Sequence, residues 1–282
     1  MTKPVSMSKA SLIISVYNNI PFLKAVLYSV NEQTWNDFEI IISEDGEHQE
    51  MREFLNRFPF VHPWQHLHQE DLGWRKNKAL NKAIQAAKSE YLIFIDGDCV
   101  LHPCFMEMHM GMSKEGYILG GKRLKLNEAL SKEFLDGKRS YRNIGSYLMK
   151  NVFRVRQLNI RFPEEAYVCS LDGLFGILPR IRKIKELRGC NMSFYKKDIL
   201  ILNGFDEDYI KPAIGEDADL TWRFRMAGFK LRSVRNLAVV YHLYHHEVWS
   251  EQNENVSMMN EKQKKGHYQC MNGIRKLNDS PK

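Results

Sequence analysis

The chain has 282 residues, with 44% apolar and 27% charged side chains and a net charge of +7. That balance is ordinary for a folded globular protein and excludes a disordered, collagenous or fibrous chain. No run approaches the roughly 18 apolar residues of a spanning helix, and the start has only a short apolar core with no cleavage-type site, so neither a membrane span nor a signal peptide is expected.

Through residue 120, short apolar runs alternate with amphipathic segments. SLIISVY (11–17) reads as a buried strand and PFLKAVLYSVNEQ (21–33) as a helix with Phe22, Val26 and Val30 on one face. FEIIIS (38–43) is a second strand, and EHQEMREFLNRF (47–58) is a helix stopped by Pro59. WQHLHQ (64–69) is a short strand. RKNKALNKAIQAAK (75–88) is a helix with Ala79, Leu80, Ala83 and Ile84 on one side, and YLIFI (91–95) is another buried strand. This rhythm predicts βαβ units, hence an α/β protein with a Rossmann-like, mostly parallel sheet flanked by helices.

The second half is less regular. Residues 131–188 read as a helix-rich insertion. They are also basic: residues 131–190 hold 13 Lys and Arg against 6 Asp and Glu, which accounts for the whole net charge. LPRIRKIKELR (178–188) has the spacing of a basic amphipathic helix, with Leu178, Ile181, Ile184 and Leu187 as its stripe. The basic segment suits an acidic partner, phosphate groups, anionic lipid or nucleic acid, and the helix reads equally as one lying in an anionic membrane interface or as one packed on the core or closing over the donor as a flap. CNMSFY (190–195) resumes as a strand, EDADLTWRFRMAG (216–228) is a helix closed by Gly228, and NLAVVYH (236–242) is a late strand. The expected organisation is a catalytic domain over 1–249, split into a nucleotide-binding half (1–122) and an acceptor-side half (123–249), with a polar tail over 250–282. The five cysteines are odd in number and form no CxxC pair. Free thiols in a reducing cytoplasm are therefore expected, not a disulfide framework or a zinc knuckle.

Open parallel sheets bind ligands at the carboxyl ends of their strands. Those ends carry Tyr17-Asn18-Asn19, Ser43-Glu44-Asp45-Gly46 and Asp96-Gly97-Asp98. Each turn alone is good turn chemistry; three in order behind buried strands predict a site. Asp96 and Asp98 can share Mg2+ or Mn2+, which would neutralise a diphosphate. Glu216 and Asp217 open a helix, where the dipole keeps a carboxylate ionised, and one of them is placed to act as a general base. His242, with His245 and His246 behind it, follows the last strand and is placed to complete an ion's shell. Arg75 opens a helix as an anion contact, and Lys76 beside it reads as solvated charge.

With these motifs in view, the chain resembles the family-2 glycosyltransferases of GT-A fold from about Ala10 to His246. The resemblance rests on SVYNN, SEDG, HQEDLGWRKNKALNKAIQAAKSEYLIFIDGDCVLHPCFM, GCNMSF and GFDEDYIKPAIGEDADLTWRFRMAGF, in that order, with a second half like a galactosyltransferase acceptor region. It implies that Val16 and Tyr17 line the nucleobase pocket and that Asp45 bonds the base, usually uracil. It further implies that Asp96 touches ribose or metal, Asp98 binds the metal, Arg75 lies near base or diphosphate, Asn191 faces the donor sugar, and Asp217 is the base. His242 would be the third metal ligand, a position that varies in the family. The implied reaction is an inverting, metal-dependent transfer from a nucleotide-sugar, usually a UDP-sugar, to a saccharide or lipid-linked acceptor. Surface polysaccharide or lipopolysaccharide biosynthesis is the implied setting, in the cytoplasm or at the inner membrane face. The Gln-x-x-Arg-Trp motif of processive synthases is absent, which favours single addition. A nucleotidyltransferase would show a Gly-rich basic loop after the first strand, and SVYNNIPF has none. A non-catalytic nucleotide-sugar binder remains a separate reading. Nucleic acid is not an expected partner, since no zinc knuckle or stacking motif accompanies the basic segment.

Overall fold

The computed structural model describes residues 8–138, 140–151, 157–169, 179, 181–212, 217–246 and 253–277. Its centre is a sheet built on three parallel strands, β1 (Ala10–Val16), β2 (Phe38–Glu44) and β4 (Tyr91–Asp96). They are buried on both faces, which is why they read as unbroken apolar runs. Alternation still decides which side each residue serves. Leu12, Ile14, Ile40, Ile42, Ile93 and Ile95 enter one core, while Ile13, Ile41, Leu92 and Phe94 enter the other.

With β3 (Trp64–Leu67), β6 (Tyr117–Gly120), β8 (Met192–Tyr195) and β9 (Lys230–Ser233), the sheet has seven strands in the order β3-β2-β1-β4-β8-β6-β9. Only β8 runs against its neighbours. The mostly parallel sheet and its flanking helices agree with the expectation from sequence. Helix α1 (Ile20–Asn31) starts where Asn19 Oδ1 accepts the Phe22 amide at 3.1 Å, with Pro21 in the first turn.

A second sheet was not foreseen. It joins three short strands, β5 (Cys99–Leu101), β7 (Arg123–Lys125) and β10 (Val240–His242), in the order β5-β10-β7. β5 leaves the Asp96-Gly97-Asp98 turn directly, so this sheet begins at the end of β4.

The basic stretch 178–188 departs from the expected helix. Leu178 and Arg180 lie outside the described residues. Pro179 and Ile181 are helical, but 182–188 are irregular. Arg182 is drawn between Glu165, at 3.0 Å, and Asn236. Leu187 is fully buried and its amide donates to Thr221 Oγ1 at 2.9 Å, whereas Ile181 is 61% exposed. Ile184 and Leu187 both pack against Gly120 while Ile181 faces out, so the expected stripe is broken and these tertiary contacts override the local periodicity.

The polar tail folds onto the molecule. After a helix over Asn253–Lys265, the chain docks on residues 202–209. Asn203 Nδ2 donates to the carbonyls of Cys270 and Arg275, both at 2.8 Å, and Asn203 Oδ1 accepts the Arg275 amide at 2.9 Å. Lys262 bridges Asp206 and Asp208. The fit is close at Gly273, where an added Cβ would sit 1.9 Å from the Asn203 carbonyl oxygen. Gly273→Ala is expected to cost about 1–3 kcal/mol by overpacking. At roughly 2–4 °C per kcal/mol, thermal denaturation would show a drop of several degrees. An unchanged midpoint would mean that this contact is loose.

Candidate active site

The three parallel strands end in register. Val16 pairs with Glu44, and Ser15 with Asp96. Beyond them the Asp45 amide donates to Val16 O at 2.9 Å and the Gly97 amide to Ser15 O at 2.8 Å. Gly97 is required by this approach: a Cβ there would lie 2.7 Å from Val16 Cγ1. Above the strand ends opens a cavity of about 690 Å³, lined by Val16, Tyr17, Asp45, Asp96 and Asp98 among others. A pocket of this size suits a nucleotide-sized ligand.

At one end of the cavity, Asp45 is buried and already held. Its Oδ1 accepts from Gln69 Nε2 at 2.8 Å, and its Oδ2 accepts the Arg75 amide at 2.7 Å. Tyr17 hangs over the same end, its hydroxyl donating to Asp71 at 2.7 Å and its ring set edge-on to His48. That hydrogen bond to a carboxylate raises the Tyr17 hydroxyl, so it stays a donor. The neighbouring Glu44 points the other way and is buried between His48 and His66, each at 2.6 Å.

At the other end, the second sheet brings imidazoles to the turn. β10 pairs antiparallel with β5, His242 opposite Cys99. His242 Nε2 lies 3.2 Å and His245 Nε2 3.3 Å from Asp98 Oδ2. Burial alone would raise the Asp98 carboxyl; the two imidazoles outweigh it and hold it well below the usual range. The three ligand atoms lie within 4.8 Å of one another. One carboxylate oxygen and two imidazole nitrogens fit a divalent cation of the manganese type better than the all-oxygen shell magnesium prefers. His242 and His245 thus both meet Asp98, where the sequence ranked His242 first and left the others open. His246 is outside this cluster.

Asp96 faces elsewhere. Lys76 Nζ donates to its Oδ1 at 2.7 Å, and Arg123 lies 3.9 Å from its Oδ2. It lines the cavity but stands apart from Asp98, His242 and His245. Asp217 opens the helix Asp217–Met226, 3.8 Å from Arg188. Burial raises its carboxyl, opposed by the positive charges of Arg188 and Lys76 and assisted by Asp96. The raised carboxyl suits a proton acceptor. Asp219, two residues on, is a packing group: fully buried, it accepts from Arg223 Nε at 2.6 Å and Tyr209 at 3.2 Å. Glu216 lies outside the described residues.

Two expectations are displaced. Arg75 turns its guanidinium onto the Trp74 carbonyl at 2.8 Å and does not line the cavity; Lys76, read from sequence as solvated, is the cation that reaches in. Asn191 is fully buried, bonded to His109 at 3.0 Å and to the Ala238 carbonyl at 2.9 Å, and is absent from the cavity wall. Asp71 and Trp74, which do line it, went unmarked. Both lie in the HQEDLGWRK stretch before the third helix, where an unpaired polar loop after an edge strand was the available signal.

The family model for glycosyl transferase family 2 matches residues 11–167, more than half of the chain, and that for the N-terminal domain of galactosyltransferase matches residues 180–246. The chain is 24% identical to a chondroitin synthase of Escherichia coli over 241 residues, 82% of this chain and 34% of that protein. It spans about a third of the length of the first curated relatives it matches. Among solved structures, it is similar to a mannosyltransferase from Pyrobaculum calidifontis in complex with GDP-Man and Mn2+, with TM-score 0.54 and 16% identity over 87% of this chain and 62% of that one. It is also similar to GalNAc-T7 with UDP, GalNAc and Mn2+, with TM-score 0.59 and 15% identity over 92% of this chain and 48% of that one.

Proposed function

The chain belongs to glycosyl transferase family 2 and has the GT-A fold, and on that premise we propose an inverting, single-addition transfer from a nucleotide-sugar, read as a UDP-sugar, to a saccharide acceptor. The observation that carries this reading is the Asp98–His242–His245 cluster on the rim of a 690 Å³ cavity, with Asp217 beside the Asp96–Lys76 pair. Val16, Tyr17 and Asp45 bound the end of the cavity that would take the base, and Asp96 the part that would take the ribose.

In the reaction, Asp217 takes the proton of the attacking acceptor hydroxyl. The freed oxygen electron pair forms the new bond to the anomeric carbon as the bond to the diphosphate breaks. The pair from the broken bond stays on the diphosphate, and the configuration inverts. Charge develops on the leaving oxygens, where Lys76 offers its ammonium. Asp98, His242 and His245 would hold the divalent ion, which supplies further positive charge to the diphosphate when bound.

The acceptor in this reading is free or lipid-linked, in the making of a surface polysaccharide or lipopolysaccharide. No helix among the described residues is long and apolar enough to cross a membrane. For a lipid-linked acceptor, the exposed Lys183, Lys185 and Arg188 would meet an anionic membrane face.

Thermal denaturation tests the reading. UDP with Mn2+ is expected to raise the midpoint by several degrees, since a ligand at about 100 times its Kd contributes about 2.7 kcal/mol. UDP in chelator should do far less, and GDP with Mn2+ less than UDP. No shift with either nucleotide and the metal would sink the proposal; a larger shift with GDP would change the donor.

A further inference from the structure

Where the two sheets meet, two thiols and a carboxylate converge. Asp96 ends β4 and Cys99 begins β5. Cys190 stands just before β8, the antiparallel neighbour of β4, and the register that sets Phe94 opposite Met192 brings residue 190 alongside residue 96. One oxygen of Asp96 and the sulfurs of Cys99 and Cys190 lie within 4.8 Å of one another. The two thiols are hydrogen-bonded to each other, and both are buried. They come from distant parts of the chain, so no local Cys spacing announces them.

This cluster differs in kind from that of Asp98, His242 and His245. The first offers imidazole nitrogens and an oxygen; the second offers two sulfurs and an oxygen. They touch but share no ligand: Cys99 Sγ donates to Asp98 Oδ1 at 3.3 Å, while the imidazoles face Asp98 Oδ2. Sulfur ligands select soft ions such as zinc over manganese or magnesium. A tetrahedral zinc with Zn–S bonds of about 2.3 Å holds its sulfurs about 3.8 Å apart, within the 4.8 Å that the cluster spans. As each bond to the ion forms, a thiol gives its proton to solvent. Two protons leave for one divalent ion, so the buried cluster gains no net charge and escapes the penalty of burying one. A carboxylate has about four lone-pair sites, so the Lys76 bond to Asp96 Oδ1 at 2.7 Å leaves acceptor capacity for an ion. Asp96 also lines the large cavity, which gives the ion a way in and supplies water for a fourth position.

We propose that Asp96, Cys99 and Cys190 form a second cation site, selective for a soft divalent ion of the zinc class and separate from the manganese-type cluster beside it. The inference needs only this ligand set and stands apart from the glycosyl-transfer reading, so either can fail without the other.

The test titrates the full, reduced chain with Cd2+, a thiolate-seeking analogue of zinc, in saturating Mn2+. It reads the ultraviolet charge-transfer band that only sulfur ligation produces. The wild type is expected to develop the band with one Cd2+ per chain and to lose it when Zn2+ is added in excess. Cys99→Ser and Cys190→Ser should each weaken this binding by about 100-fold or more, at least the cost of losing an outer-shell partner, and Asp96→Asn by about tenfold. Cys104→Ser, Cys169→Ser and His242→Ala should keep the band. Cys99→Ala and Cys190→Ala serve in case serine is poorly housed among apolar neighbours, and only variants that keep the metal-free melting midpoint are scored. No band in the wild type would overturn the proposal without any variant. So would a band that survives in the folded double variant Cys99→Ala, Cys190→Ala, since other thiols then hold the ion. A band lost in His242→Ala would assign the ion to the Asp98 cluster and overturn it equally. Unchanged Cd2+ affinity in Asp96→Asn would strike Asp96 from the site and, with it, the three-ligand proposal.

Discussion

Asp217→Asn is expected to lower the rate of sugar transfer by about 100- to 10,000-fold, the range of a lost general base. Affinity for nucleotide and metal should change little, because the base acts on the acceptor hydroxyl and not on the diphosphate. Asn keeps the shape and the polar contacts of the side chain, so the loss would report proton transfer and not packing. The pH profile gives an independent sign. Burial raises the Asp217 carboxyl, and the base works only when ionised. The acid limb of kcat/KM should therefore fall above the ordinary carboxylate range, with activity lost as pH drops through it, and that limb should vanish in the variant. Single-turnover rates across pH measure both effects. A larger loss with Glu216→Gln than with Asp217→Asn would move the base to Glu216.

Asp98→Asn should weaken Mn2+-dependent UDP binding by about 100-fold or more, roughly 2.8 kcal/mol at about 1.4 kcal/mol per tenfold. Among the described residues Asp98 is the only anionic member of the cluster with His242 and His245, and without it the cluster keeps its two imidazoles but loses its charge. His242→Ala and His245→Ala should each weaken Mn2+ binding as well, His242 more, since it is buried and fixed by β10. Calorimetry with Mn2+ and UDP measures this, and unaltered binding in the Asp98 variant would show that the ion lies elsewhere. The metal-free protein offers a second readout. Because the imidazoles hold the folded Asp98 carboxyl below its unfolded value despite burial, its contribution to stability is present above the ordinary carboxyl range. It is lost as pH falls through the depressed folded value. The stability gap between wild type and Asp98→Asn should thus be wider at neutral pH than in strong acid.

What could be read from sequence follows from how far each residue's partners lie along the chain. The βαβ rhythm was legible because β1, β2 and β4 are long enough for their apolar runs to stand out, and because each ends in a polar turn. The positions of Asp45, Asp96 and Asp98 at one edge followed from that rhythm alone. The second sheet was not legible as a sheet: β10 lies within NLAVVYH, which reads as a late strand, but the three-residue β5 and β7 are too short to show a period. They exist because residues 99–101 and 240–242 are brought side by side. The choice between Arg75 and Lys76 turned on side-chain direction at a helix start, where neighbouring residues diverge by about 100°. Asn191 was marked only by the resemblance, through the GCNMSF motif. Its environment is set by His109 and Ala238, which no local pattern announces. The helix expected over 178–188 failed for a similar reason, as Arg182 answers to Glu165 and Asn236.

The docking of residues 266–277 on Asn203 bears on how the protein is made. Asn203 waits for Arg275, 72 residues later, to satisfy its side-chain oxygen, and for Cys270, 67 residues later, to give its amide a carbonyl. Ribosomes add about 5–20 residues per second, so several seconds separate the two partners during synthesis. Through that interval the loop Gly204–Tyr209 and the buried Arg223 that donates to Gly204 O at 2.8 Å lack one wall. Strands β1, β2 and β4 are synthesised by Asp96, and β8, the other neighbour of β4, follows by Tyr195, well before Cys270 and Arg275. Nascent chains stalled after Tyr209 and before Cys270 should therefore resist protease in their first hundred residues and be cut near residue 204, the amino-terminal part of the fold being closed before the wall that the last residues supply.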